Sequence, residues 1–309
     1  MTDYLGLLRE IAAPRVVGTP HHSQVRDVLK REVVGRGFVP MEHRFHARLQ
    51  LPLWGWRPAE GMNLLAVRPR SRVAVWLVAH YDSKGQPLSM AARLLGAAGC
   101  AMAVAVGIGS IVAGAPPLAA VPAVLLAALF VSLNRVHNGS PGAVDNGSGV
   151  VTALATVDAL SPEFPVGLMF LDAEEWGLRG ARALLRERAN LLRDTTVVNF
   201  DGVDDRGRPI VFVHRPGPTV DRIVGALRAR RLRSLPVVVD GLALRRGARE
   251  CVTIMRGDWG TARVIHTPRD TVDRLTLEGV REVASAVASA LQATLQGGNS
   301  RVDAGLTGV

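Results

Sequence analysis

Two adjacent glutamates, Glu174 and Glu175, follow a short apolar run and have the clearest potential for chemistry in this chain. The run, Val166–Leu171, has no polar side chain and predicts a buried strand, and an Arg-, Leu- and Ala-rich helix is predicted over 178–192. An isolated glutamate pair is typical of a solvated turn, because burying two unpaired carboxylates is costly. At the carboxyl end of a strand, where open α/β sheets bind ligands, the same pair suits a metal ligand beside a general base.

Four further segments place a histidine or a carboxylate where a predicted strand ends or a helix begins. They are HYDS at 80–83, DNGSG at 145–149, NFDG at 199–202 and HTPRDT at 266–271. A lone residue of this kind is more often a helix cap or a buried polar group. Together with the glutamates, the segments supply two imidazoles and several carboxylates at one sheet edge. That mixture suits zinc or a similar divalent ion.

The elements that must position these segments alternate between strands and helices. The apolar sequence VAVWLVA at 73–79 predicts a central strand that is buried on both faces. Helices are predicted over 3–13, 21–37, 149–160, 178–192, 220–231 and 276–295, and strands over 63–67, 73–79, 166–171, 196–200, 210–213, 237–239 and 251–255. Residues 44–67 show only broken strand signals, with Trp54 and Trp56 in a loop. The alternation predicts a three-layer α/β/α fold around a mostly parallel mixed central sheet.

An uncharged segment, 94–134, interrupts this pattern between two of the candidate sites and contains no Asp, Glu, Lys or Arg. Residues 114–117 divide it into two apolar arms, and a membrane-spanning helix needs roughly 20 residues. Arg93 and Arg135 flank the segment and the turn is uncharged, so the positive-inside rule places both ends in the cytoplasm. A buried or oligomer-forming hairpin of a soluble protein is the alternative interpretation.

The expected organisation is therefore one catalytic domain with an insertion. Residues 1–93 and 135–309 form the catalytic domain, and 94–134 form an inserted hydrophobic helical hairpin that spans the lipid bilayer. Four glycines would let the two arms pack closely: Gly96, Gly99, Gly107 and Gly109.

The composition supports a membrane location and argues against other partners. The formal charge is +10, from 37 Lys and Arg against 27 Asp and Glu. Such a balance is compatible with nucleic acid, an anionic membrane surface or an arginine-rich proteome, and with a membrane hairpin it would attract the chain to the anionic cytoplasmic leaflet. We expect no nucleic-acid binding, because no binding motif or basic-aromatic surface is present. Cys100 and Cys251 form no CxxC pair, so a disulfide framework is not expected. The amino-terminal sequence lacks the pattern of a signal peptide, so the catalytic domain is not expected to be exported by a cleaved signal. Together with the hairpin and its flanking arginines, this predicts an inner-membrane protein with a cytoplasmic catalytic domain.

The five segments resemble, in order, the motifs of the M28 family of zinc aminopeptidases, the co-catalytic di-zinc exopeptidases. The resemblance extends from RVVGTP at 15–20 to the final helix and leaves out 94–134. It implies two zinc ions, a peptide substrate and seven functional residues. These are His80 and Asp201 as ligands of one zinc, Glu175 and His266 as ligands of the other, Asp145 as the bridge, Asp82 as the hydrogen-bond partner of His80, and Glu174 as the general base.

Elementary chemistry is consistent with these roles. Two metals about 3.5–4 Å apart share a bridging carboxylate and lower the pKa of a shared water. A second carboxylate beside that water can take its proton and pass it to the leaving amine. Adjacent glutamates allow this division, since Glu175 binds metal while Glu174 faces the water.

The chain departs from the family pattern at three places. The hydrophobic hairpin separates His80 from Asp145, Ala181 replaces the serine common after Gly180, and the region 240–260 matches only loosely. The leading hypothesis is a metal-dependent aminopeptidase. One alternative is a single-zinc glutaminyl cyclase, because HYDSK at 80–84 also resembles that group. The other is a non-catalytic receptor or scaffold with the same fold.

Overall fold

The computed structural model describes residues 2–51, 55–133, 135–233 and 237–306. Ten α-helices lie in these residues: α1 (Tyr4–Ile11), α2 (Pro20–Gly35), α3 (Met90–Val112), α4 (Val121–Ser132), α5 (Gly149–Ala159), α6 (Arg179–Arg188), α7 (Pro218–Ala226), α8 (Asp240–Leu244), α9 (Trp259–Ala262) and α10 (Glu278–Leu306). The same residues form eight strands: β1 (Val39–Leu51), β2 (Gly55–Val67), β3 (Val75–His80), β4 (Val166–Leu171), β5 (Thr196–Val203), β6 (Arg208–Arg215), β7 (Arg230–Leu232) and β8 (Glu250–Gly257).

The strands form one mixed sheet in the order β1-β2-β4-β3-β5-β8-β6-β7. The four central strands, β4, β3, β5 and β8, are parallel, whereas β1, β2 and β6 introduce antiparallel pairs. All six residues of β3 are buried, as expected for a strand covered on both faces. The predicted mixed, mostly parallel central sheet is therefore confirmed.

The two faces of the sheet are covered by separate groups of helices. Leu77 and Ala79 of β3 belong to a core shared with α1, α2, α5, α7 and α10. Trp76 and Val78 point the other way and pack with residues of α6 and α8. This alternation along one strand confirms the three-layer architecture.

The structure corrects the prediction at both ends of the sheet. Residues 44–51 and 55–67 belong to a long antiparallel pair, β1 and β2, in register from Val39 opposite Val67 to Leu51 opposite Gly55. Trp56 lies in β2 rather than in a loop, and Trp54 lies outside the described residues. Pro58 is tolerated there because β4 pairs with β2 only at Leu64–Val67, so that the other side of the strand needs no N–H donor.

The second correction concerns the segment after α7. Residues 230–232 do not continue that helix but form β7, which pairs in parallel with β6. The predicted strand at 237–239 is wrong, because these residues lead directly into α8. Val239 is buried there and Val238 is exposed, so the apolar run is used for packing at a helix start rather than for strand pairing.

The uncharged segment leaves and re-enters the domain at a single point. The Gly85 N–H donates to the His137 carbonyl at 2.7 Å, and the His137 N–H donates to the Gly85 carbonyl at 2.9 Å. Between them, α3 and α4 pack against each other as two arms. A Cβ on Gly96 would collide with the Phe130 ring, and Gly107 lies against Ala120 and Ala123, whereas Gly99 and Gly109 have nothing within 4 Å. Two of the four glycines therefore serve the predicted close packing.

The arms differ in length. Helix α3 has 23 residues, mean hydropathy 2.0 over its most apolar window and very little buried surface, and it alone among the described helices is long and apolar enough to cross a membrane. It extends about 35 Å. Helix α4 has 12 residues, about 18 Å, because Pro117–Ala120 form a separate 3₁₀ turn and Pro122 lies at its start. The second arm, 118–133, is thus α-helical over only 12 of its 16 residues.

Candidate metal centre

The candidate ligands gather at the carboxyl edge of three adjacent strands. His80 is the last residue of β3, Asp201 lies near the end of β5, and Glu174 and Glu175 follow β4. Asp145 lies in the turn before α5, and His266 follows α9. The sheet order therefore brings together residues that are far apart in the chain.

Five predicted ligands form two clusters that share one aspartate. In the first cluster, His80 Nε2 lies 3.3 Å from Asp145 Oδ1 and 3.9 Å from Asp201 Oδ1. In the second, His266 Nε2 lies 2.9 Å from Asp145 Oδ2 and 3.1 Å from Glu175 Oε1. Within each cluster one donor atom from every residue lies within 4.8 Å of the others. Asp145 directs one oxygen to each cluster, which is the arrangement of a bridging carboxylate.

The donor set fits a divalent cation in each cluster. Imidazole nitrogen and carboxylate oxygen are ligands that zinc accepts. Among the described residues, the buried Asp201 Oδ2 has no hydrogen-bond partner. A buried carboxylate oxygen without a partner is costly, and a bound cation would satisfy it.

The two adjacent glutamates have opposite electrostatic settings. Burial acts to raise the pKa of Glu175, but His266 and Lys84 outweigh it and lower that pKa to about 2. Lys84 Nζ lies 2.7 Å from Glu175 Oε2. Burial raises the pKa of Glu174 well above its usual value, with His80 opposing the shift and Glu175 adding to it. Glu175 is thus held ionised, as a ligand requires, while Glu174 can take up a proton, as a general base requires.

Asp82 holds the glutamate turn as well as His80. Its two carboxylate oxygens accept the backbone N–H groups of Glu174 at 3.1 Å and of Glu175 at 3.3 Å. His80 Nδ1 lies 3.2 Å from the Asp82 carbonyl oxygen and 3.5 Å from Asp82 Oδ1. The predicted contact with His80 is therefore present, but the shorter of the two distances is to the backbone carbonyl.

A buried network behind the glutamate turn was missed in the sequence. Asp172 Oδ1 lies 2.8 Å from His22 Nε2, and Asp172 Oδ2 accepts the Met62 N–H at 2.7 Å. The ring of His22 stacks on that of Tyr81, with centroids 4.9 Å apart. Ala173 then turns with φ 54°, a left-handed conformation that is uncommon for a residue with a side chain. The network fixes the direction in which Glu174 and Glu175 leave β4.

The bridging aspartate has its own support. Asp270 accepts the N–H groups of Val144 at 2.7 Å and of Asp145 at 3.2 Å, and burial raises the pKa of Asp270 to about 6. The buried Arg15 guanidinium donates to the carbonyls of Tyr81 at 2.6 Å and Gly142 at 2.9 Å. Asp270 and Arg15 both lie in segments that the sequence singles out, but their roles depend on contacts across the fold.

Asp240 is a further acid near the centre that no motif indicates. It is fully buried at the start of α8, and neither carboxylate oxygen has a hydrogen-bond partner among the described residues. Burial raises its pKa well above the usual value, and Asp201 adds to the shift while His80 opposes it. Asp240 is thus a carboxyl group that favours its protonated form, and it is close enough to Glu174 to raise the pKa of that glutamate.

The fold and the paired clusters define a metal-dependent α/β enzyme, and the sequence comparison assigns the family. The sequence profile of Peptidase family M28 matches residues 63–291, so the chain belongs to this family. Its members are zinc-dependent enzymes. A comparison with curated protein sequences gives no match.

Solved structures share the fold at low sequence identity. A zinc aminopeptidase from Bacillus subtilis, BSAP, has a TM-score of 0.65 and 12% identity, with 94% of each chain covered. A glutaminyl cyclase from Fimbriiglobus ruber has a TM-score of 0.62 and 15% identity, covering 94% of this chain and 93% of that one. The Legionella pneumophila aminopeptidase LapA has a TM-score of 0.57 and 16% identity, covering 94% and 71%. Both activities therefore occur on this fold.

Proposed function

We propose that the protein is an aminopeptidase that uses two zinc ions and removes residues from the N-terminus of peptides. The observation that carries this proposal is the position of Asp145, which gives one carboxylate oxygen to each of two clusters. A single-ion site has no need for both His80 and Asp201 beside a complete set of Asp145, Glu175 and His266.

The residues of the chain divide the work. Zinc bound at these clusters would supply a water of lowered pKa as the nucleophile. Glu174 takes a proton from the nucleophile and passes it to the leaving amine, and its raised pKa suits both steps. Lys84 keeps Glu175 ionised, while Asp82 holds both glutamates through their N–H groups.

The hairpin gives the proposed enzyme its location. Residues 94–134 are proposed as an inserted membrane hairpin, and 1–93 with 135–309 as the catalytic domain on the cytoplasmic side of the inner membrane. Fifteen large apolar side chains between Leu95 and Leu133 are exposed, an amount of apolar surface that water does not favour. The paired ends at Gly85 and His137 support an insertion into one loop.

A glutaminyl cyclase remains a second candidate because of Asp240. Cyclisation joins the α-amine of an N-terminal glutamine to its side-chain amide and releases ammonia, so a proton must move from one nitrogen to another without a water being consumed. A protonated carboxyl group near Glu174 would assist such a transfer.

The test combines metal content with product analysis of the detergent-extracted full-length protein. We expect two zinc equivalents and release of free amino acid from aminoacyl-anilides. Glu174→Gln should retain both metals and lose at least about 10²-fold in kcat, since only the base is removed. Glu163→Gln, at an exposed surface position, is the matched control.

Two other results would reject the aminopeptidase. One zinc equivalent with cyclisation of an N-terminal glutamine would identify the cyclase, and absence of bound metal would favour the non-catalytic scaffold. Near-normal turnover by Glu174→Gln would show that the base has been assigned wrongly.

A further inference from the structure

Helix α3, which leads into the hairpin, begins in contact with the metal centre. Arg93 lies in the first turn of α3, and its Nη1 lies 3.2 Å from His266 Nδ1 and donates to Gln86 Oε1. The Gln86 N–H in turn donates to the His266 carbonyl at 2.8 Å. The same helix that is long and apolar enough to cross a membrane therefore starts against the ring of a candidate ligand.

The apolar surface starts almost at once after this contact. Leu95 is 64% exposed and follows Arg93 by two residues, about 3 Å along the helix axis. From there to Val112, which is 82% exposed, the outer side of α3 is apolar. A bilayer that covers this surface would begin within one helical turn of the residue that touches His266.

A second part of the chain connects the centre to the same place. Helix α9 packs against α3 and ends four residues before His266. Its first residue, Trp259, is 45% exposed, although large aromatic side chains are usually buried. Arg263, one turn later on the same side, is also exposed. Tryptophan beside a basic residue is typical of the membrane–water interface.

We propose that the metal centre takes its substrates at the bilayer surface, and that they are polypeptides with a free N-terminus in water and the following chain held in the membrane. This proposal rests on the aminopeptidase activity proposed above and adds the substrate class. Because centre and bilayer are close, an N-terminus needs only a short extended segment to reach the ligands. Confining enzyme and substrate to one surface also raises their effective concentration.

The test varies the distance between the N-terminus and the membrane. Full-length protein is reconstituted in vesicles of phosphatidylethanolamine and phosphatidylglycerol. Three peptides share their first five residues: one is soluble, and two carry a C-terminal diacyl anchor either five or thirty residues from the N-terminus. Five extended residues reach at most about 17 Å, so only a centre at the surface can use the short spacer.

We expect the short-spacer peptide to be cleaved with a kcat/KM at least about tenfold above that of the soluble peptide. Trp259→Ala should lower the rate on the short-spacer peptide about threefold and leave the soluble peptide unaffected. Val34→Ala, which changes a comparably exposed apolar residue on α2, is the control.

Two outcomes would overturn the substrate class while leaving the aminopeptidase intact. One is cleavage of the long-spacer peptide but not of the short one, which would place the centre away from the surface. The other is equal kcat/KM for soluble and anchored peptides. If the zinc-loaded protein cleaves none of the three, the aminopeptidase activity itself is wrong and the substrate class is wrong with it.

Discussion

The metal centre and the hairpin are neighbours that follow opposite physical rules. At the centre, charged side chains are buried and most are fixed by short contacts, as Asp82 is by two backbone N–H groups. In the hairpin, side chains are uncharged and mostly apolar, and most of the large apolar ones are exposed. Burying charge is tolerated only with partners, and exposing apolar surface is favourable only without water. The two regions therefore need different environments, and Arg93 lies where they meet.

Deleting the hairpin should give the largest effect, because it removes the exposed apolar surface and leaves the metal centre. Replacing 94–134 by a short linker keeps Arg93 and the pairing of Gly85 with His137. We expect the protein to change from almost wholly membrane-bound to almost wholly soluble, a shift of about 10⁴-fold in the partition ratio. Flotation of vesicles with the variant measures this directly.

The deletion should spare the centre. A linker of equal length inserted into the loop 205–207, between β5 and β6, controls for the effect of inserting flexible residues. Continued flotation of the deleted but folded protein would show that the apolar surface is not what holds the protein to membranes.

Removing the bridge should give the next largest effect. Asp145→Asn leaves a single amide oxygen where two clusters each need a carboxylate oxygen. We therefore expect loss of zinc from both clusters and at least about a 10³-fold lower kcat/KM, which corresponds to ~4 kcal/mol in transition-state stabilisation. Zinc content per protein is measured beside turnover. Asp27→Asn, at an exposed position, is the control. Full retention of one zinc equivalent would mean that the clusters are independent.

The sequence predicts the centre better than its surroundings, and the reason is physical. His80, Glu175 and Asp201 lie at or just after the carboxyl ends of adjacent parallel strands, and such strand ends can be recognised from hydrophobic patterns. Asp145 before α5 and His266 after α9 lie in loops, which the order of the motifs indicates. Asp240 and His22 carry no such signal. His22 acts through its contact with Asp172, 150 positions away. Asp240 has no hydrogen-bond partner among the described residues, and only the fold brings its buried carboxyl group near the centre.

The hairpin shows the opposite limit. A hairpin of two helices is indicated by composition alone, because 94–134 contains no charge, but its first helix already begins at Met90, four residues earlier. The unequal lengths of its two helices are not evident from composition. The 3₁₀ turn at Pro117–Ala120 and the short α4 depend on where prolines interrupt backbone hydrogen bonds. The edge strands β1 and β7 were missed for a related reason: an edge strand tolerates polar residues and proline, which weakens the alternating pattern.

Breaking the network behind the centre should have a smaller, structural effect. His22→Ala removes the partner of Asp172 Oδ1 in a site where both side chains are almost fully buried. We expect a loss of about 2–4 kcal/mol in the free energy of unfolding, less than for an isolated ion pair because Asp172 keeps two backbone donors. Thermal unfolding in detergent measures the change, and His21→Ala, at the exposed neighbour, should leave Tm unaltered. An equal Tm for both variants would show that His22 does not stabilise the network behind the metal centre.

The smallest effect is expected for Lys84, which is not a candidate ligand but contacts the candidate ligand Glu175. Lys84 helps to hold the pKa of Glu175 at about 2, so Lys84→Met should raise that pKa. A proton competes with zinc for the carboxylate, and its advantage grows as pH falls through the raised pKa. We therefore expect about tenfold weaker zinc binding, and we expect zinc to be lost at a higher pH on acidification than in the unchanged protein.

Lys84→Arg should restore binding because it keeps the charge, and Lys30→Met, which removes the partner of Glu42 at the surface, should have no effect. Zinc affinity is measured from pH 5 to pH 8. If Lys84→Met loses zinc at the same pH as the unchanged protein, His266 alone keeps Glu175 ionised.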